Sequence, residues 1–117
     1  MELTMSSIGA VHVIRLRGTF SLGAPVDEFR SMTETVVRGG HTKLVLVLSD
    51  VPMMDSSAIG ALVRTMSTCK ASGGNLKLVN PSPFVLKTLK IVGLLNLFEI
   101  HPDEKTAAES YGVVNNA

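Results

Sequence analysis

Lys43–Thr68 reads KLVLVLSDVPMMDSSAIGALVRTMST, and a change of pattern within it decides the architecture. From Lys43 to Leu48 the chain is almost continuously apolar, too short for a surface helix, which predicts a buried parallel strand. From about Ser56 to Lys70, Ile59, Leu62, Met66 and Cys69 recur at helical spacing and predict a helix with one buried face. Between the two patterns stand Asp55, Ser56 and Ser57. Such residues precede helices because a side-chain oxygen accepts a hydrogen bond from an otherwise unpaired N–H of the first turn. After a turn at Ser72, Gly73 and Gly74, Asn75 to Val79 returns as a further strand. The strand, helix, strand unit is expected to cross over right-handed in a largely parallel sheet.

Towards the N-terminus, Glu2 to Ser6 and Val11 to Arg17 are two strands separated by a turn around Ile8 and Gly9. In the second, apolar residues occupy both alternating sets, as in an interior strand covered on both faces. Gly18 ends it, and a helix opens near Pro25, where the missing N–H costs nothing. Asp27 and Glu28 sit in its positive first turn, and Gly39 with Gly40 stops it. Towards the C-terminus, Pro81, Ser82 and Pro83 open a short helix that ends at Gly93. Leu94 to Ile100 offers a last short strand, and Pro102 to Tyr111 a weak helix. Gly112 to Ala117 is expected to fray.

With 117 residues, 45% apolar, 18% charged and a net charge of +1, the chain suits one globular domain with one core and has no strong field for nucleic acid or membrane. Cys69 is the only cysteine and has no internal disulfide partner, which fits a reducing compartment. The N-terminal MELTMSSIGA has no signal segment, and no apolar run approaches the ~20 residues of a membrane span. A cytoplasmic protein is expected.

Little of this points to an enzyme. Neither Ser56 nor Ser57 lies in the Gly-x-Ser-x-Gly elbow of a serine hydrolase. His12, His41 and His101 are scattered, with no cysteine or acidic cluster at ligand spacing, which predicts surface or strand-edge histidines and no metal. The Ser72–Gly74 turn lacks the lysine of a phosphate loop. What remains is the junction. It stands at the C-terminal end of a buried parallel strand, the edge where open α/β sheets place their sites. A phosphoryl group there would meet a helix N-terminus, yet bring about two negative charges beside Asp55 and any interface built on the helix. The helix stripe Ser57, Gly60, Ala61, Arg64 and Thr68 is small and nearly uncharged, so a second surface can approach it. Met53 and Met54 offer an adaptable apolar patch beside it.

The element order, the apolar strand followed by MDSSAIGAL, the Ser72–Gly74 turn, and Asn80 to Pro83 before a short helix ending at Gly93 together resemble the STAS domain family. The resemblance covers Met1 to about Tyr111, and within the family it is to the stand-alone anti-sigma factor antagonists of bacteria. It implies an α/β fold: a single STAS-like domain over residues 1–112, a mixed, mostly parallel sheet of four or five strands with about four helices packed on it, and a disordered tail at 113–117. It implies no catalysis and no cofactor. The partners would be an anti-sigma factor that is a serine kinase and a PP2C-type phosphatase. Binding the kinase would free a sigma factor, and phosphorylation of Ser56, with Ser57 the lesser candidate, would switch binding off. Partner-binding residues would be Asp55, Ser56, Ser57, Gly60, Ala61, Arg64, Thr68, Ser21 and Met54.

The chain departs from the family pattern twice. Ala58 stands where glycine is common. In the loop after the second strand, Gly18 is followed by Thr19, Phe20 and Ser21 with no acid, which reads Phe20 and Leu22 as an apolar edge for a partner. Two other readings stay open: a STAS scaffold or accessory subunit of a signalling or transport complex without a phosphate cycle, and a small anion- or nucleotide-binding module.

Overall fold

The computed structural model describes residues 1–112; the tail expected at 113–117 lies outside them. The elements run β1 (Glu2–Ile8), β2 (Val11–Arg17), α1 (Ala24–Arg38), β3 (Lys43–Asp50), α2 (Ser56–Ala71), β4 (Asn75–Val79), α3 (Pro83–Ile91), a 3₁₀ turn (Leu95–Leu97), β5 (Ile100–His101) and α4 (Glu104–Glu109). The five strands lie in the order of the chain, β1-β2-β3-β4-β5. The β1–β2 pair is antiparallel; every later pair is parallel. The sheet is mixed and mostly parallel, as the sequence implied, and β2 is an interior strand.

Side-chain alternation divides the sheet into two faces. Ile14, Leu16, Leu44, Leu46, Leu48, Leu76 and Leu78 join Phe29 of α1, Ile59, Leu62, Met66 and Cys69 of α2, and Val85 and Leu89 of α3 in the main core. Val11, Val13, Val45, Val47 and Val79 point the other way and are covered by Ala107 and Ala108 of α4. That explains why β2 and β3 read as continuous apolar runs. The short α4 is tied down at both ends. Arg15 pairs with Glu104, and buried Lys77 donates to Ser110 Oγ at 2.7 Å while its Nζ lies 4.1 Å from the Tyr111 ring centroid and 3.4 Å from Glu99. The Tyr111 hydroxyl lies 2.6 Å from Leu44 O and 2.8 Å from Asn75 O, joining the starts of β3 and β4.

Helix boundaries follow local chemistry. Asp55 caps α2, Ser82 caps α3, and Pro stands in the first turn of α1 and α3. Gly74, expected only to turn the chain, is also fixed by contact: a Cβ there would fall 1.9 Å from Thr42 O.

Candidate functional site at the start of the second helix

The loops leaving β2 and β3 are sewn together just before α2. Gly18 N–H donates to Asp50 O at 3.0 Å, Phe20 N–H to Met53 O at 3.1 Å, and Asp55 N–H to Phe20 O at 3.2 Å. Phe20 and Met54 form an isolated parallel bridge, which extends the β2–β3 pairing beyond the strands. Asp55 completes the seam with its side chain. Oδ1 accepts from Ala58 N–H at 2.9 Å, the N-cap bond, and Oδ2 from Leu22 N–H at 2.9 Å. The Leu22 N–H first, then the Ala58 N–H, hold this carboxyl below its ordinary range. Asp55 is therefore both cap and clamp.

Ser56 follows as the first residue of α2. It is exposed, and its hydroxyl makes no hydrogen bond among the described residues. A shallow apolar depression opens from it, lined by Ile59, Gly60, Val63 and Arg64 of α2 with Val92 and Leu94 beyond α3. A Cβ at Gly60 would meet nothing within 4 Å, so the fold does not require glycine there. A helix-interior glycine costs about 0.5–1 kcal/mol relative to alanine, and its effect here is to keep the depression open. Leu22 (72% exposed) and Met53 stand exposed on the loops, and Ile91 and Val92 at the end of α3.

Of the expected partner-binding residues, the structure gathers Asp55, Ser56, Ser57 and Ser21 at the seam and leaves Gly60, Arg64 and Thr68 exposed along α2. Three expectations are corrected. Ala61 is 3% exposed because it faces α1, so it belongs to a helix crossing and not to a free stripe. Met54 is also 3% exposed: its bridge to Phe20 turns it inward and leaves Met53 outside. Phe20 is fully buried, edge-on to Phe29 at 5.1 Å, so of the loop pair only Leu22 is presented. Val63, Val92 and Leu94 went unread in the sequence. Val63 was signalled by its place one turn after Ile59 and Gly60; Val92 and Leu94 flank a terminating glycine and carry no periodic signal.

His12 and His41 are scattered in sequence but not in space. Their rings lie 4.2 Å apart, and His12 Nδ1 is buried without a hydrogen-bond partner among the described residues. Among those residues no group of three or more His, Cys, Asp or Glu side chains could hold a metal, and no helix is long and apolar enough to cross a membrane.

The STAS domain model matches residues 2–107, and the chain belongs to the STAS domain family. A Thermotoga maritima relative is 34% identical over 70 residues, which span 60% of this chain and 62% of that relative's length. The anti-sigma F factor antagonist of Lysinibacillus sphaericus is 30% identical over 104 residues, 88% of each chain. Among solved structures, the anti-sigma factor antagonist SpoIIAA in its unphosphorylated form superimposes with a TM-score of 0.80 at 27% identity, over 97% of this chain and all of that one. SpoIIAA has also been solved in a phosphorylated form, with a TM-score of 0.74 at 25% identity over 94% and 99% of the two chains.

Proposed function

We propose that this chain is an anti-sigma factor antagonist: it docks on an anti-sigma factor through the surface around Ser56, frees a sigma factor, and is switched off when that partner, a serine kinase, phosphorylates Ser56. The observation that carries the reading is the exposed Ser56 hydroxyl, without a hydrogen bond among the described residues, beside an aspartate already committed to two backbone N–H groups. The hydroxyl is free for modification, and Asp55 cannot turn away from the added charge without giving up the cap. A phosphoryl group brings about 1.5 to 2 negative charges. It would stand at the mouth of the apolar depression, where a docked partner excludes water. The helix N-terminus tolerates the charge, so the fold survives while the contact is lost. The name of the Lysinibacillus relative and the two forms of SpoIIAA support the same reading. A PP2C-type phosphatase would restore the active form.

The test is incubation with ATP and the serine kinase-like anti-sigma factors of the same genome, followed by mass spectrometry. A single phosphate on Ser56, absent from Ser56→Ala, is expected. A partner that binds tightly but never modifies Ser56 would instead favour the scaffold reading, to which the Thr19–Gly23 loop, without a carboxylate, is also suited.

A further inference from the structure

On the flank of α2 away from the depression, α1 and α2 cross over a cleft of about 270 Å³ lined by Arg30, Thr33, Glu34, Val37, Arg38, Ala61, Arg64, Thr65 and Thr68. Its floor is made of small, buried side chains: Ala61 and Thr33 are each 3% exposed and Thr65 8%. Its rim is basic. Arg30 approaches Glu34 at 4.0 Å, while Arg38 and Arg64 have no carboxylate within salt-bridge distance among the described residues. The hydroxyls separate a filled group from an open one. Thr33 and Thr68 donate to the carbonyls of Phe29 and Arg64, each at 3.0 Å. Thr65, more than nine-tenths buried and lining the cleft, has no hydrogen-bond partner among the described residues. Among the described residues His12 Nδ1 is the one buried side-chain polar atom without a partner, so the Thr65 hydroxyl opens onto the cleft and is free to bond what enters it.

We propose that the α1–α2 cleft is a binding site for a small organic anion, a carboxylate or phosphate head group on a compact apolar body. Arg38 and Arg64 are the free guanidiniums for the head group, since a planar fork suits either anion. Thr65 Oγ1 supplies a neutral hydrogen bond, and Ala61 with Val37 receives the apolar body. The volume lies just below the roughly 300 Å³ at which drug-sized pockets begin, which suits a compact ligand. Arg64 also borders the depression beside Ser56. Ligand and docked partner would therefore draw on the same guanidinium, and the ligand would weaken docking; this consequence alone rests on the function proposed above.

The site is tested without any partner, by following backbone amide signals of the full chain in solution. Phenyl phosphate and benzoate carry both head group and body; inorganic phosphate carries only the first and benzyl alcohol only the second. At least one of the two aromatic anions should shift Val37, Ala61 and Thr65 saturably, with a dissociation constant at or below about 1 mM, and inorganic phosphate should bind at least about tenfold more weakly. Which aromatic anion binds better identifies the head group. Arg38→Ala and Arg64→Ala should each weaken binding about five- to tenfold. Thr65→Val should weaken it about threefold with no loss of melting temperature, since the hydroxyl it deletes bonds no protein group among the described residues and the shape is kept. The proposal is overturned if neither aromatic anion gives saturable shifts, if the shifts fall outside the cleft, or if inorganic phosphate binds as well as phenyl phosphate.

Discussion

Asp55 does the work of two residues, because one carboxylate oxygen caps α2 and the other holds the Leu22 loop. Asp55→Ala should therefore lose about 1–2 kcal/mol, the upper part of the range for an N-cap, and free Leu22 from its position. The deficit depends on pH in a defined direction. The folded carboxyl is held below its reference value of 3.8, so its stabilisation is complete above that value and lost as pH falls through the folded pKa. Thermal melts of wild type and Asp55→Ala should converge in acid. His12 titrates with the opposite chemistry and the same sign. Burial first, then the neighbouring His41, lowers its pKa from 6.5. Above 6.5 both states are neutral; below it the unfolded chain takes the proton first and stability falls. The melting temperature should drop between about pH 7 and pH 5, and His12→Gln should flatten that slope. The cap was legible in the sequence because Asp before an apolar helix has one common purpose. The His12–His41 contact was not, since it depends on where β2 and the segment before β3 lie side by side.

At the level of elements, strands and helices were readable where one period dominated. The Lys43–Leu48 run, the Ile59–Cys69 spacing and the glycine stops at Gly39 and Gly93 all mark elements that formed. What periodicity could not supply was the neighbour of each face. Ala61 sits on the side of α2 away from the sheet, which suggested a free stripe, but α1 crosses there. Met53 and Met54 are adjacent in sequence, yet strand alternation carried on by the Phe20–Met54 bridge buries one and presents the other. Gly74 teaches the same lesson about turns. Its N–H donates to Cys69 O at 2.8 Å, and the next N–H, of Asn75, donates to Thr42 O at 3.0 Å, which draws the backbone against Thr42. Gly74→Ala should lose about 1–3 kcal/mol or more, the cost of overpacking a site where backbone must yield. A melting temperature equal to wild type in a chemical or thermal melt would show that the turn can move aside.

Over the whole molecule, the sheet is a rigid plate with α1, α2 and α3 on one face and α4 on the other, and the junction projects from the edge where β2 and β3 end. Hydrogen bonds between the two exit loops hold the backbone up to Asp55, so the phosphate proposed at Ser56 would act as a change of surface charge and not as a change of fold. The family was visible in the sequence through element order combined with MDSSAIGAL, whereas the detail of the proposed docking surface was not. Val63 of α2 and the Val92–Leu94 segment after α3 line one depression only after folding, and Leu22 is presented separately on the loop after β2. The most direct measurement is calorimetric titration of the unmodified and the Ser56-phosphorylated protein against the same anti-sigma factor. The phosphorylated form should bind at least about 30-fold more weakly, some 2 kcal/mol of charge placed against a desolvated contact, with its melting temperature nearly unchanged. Equal affinity of the two forms would contradict the account.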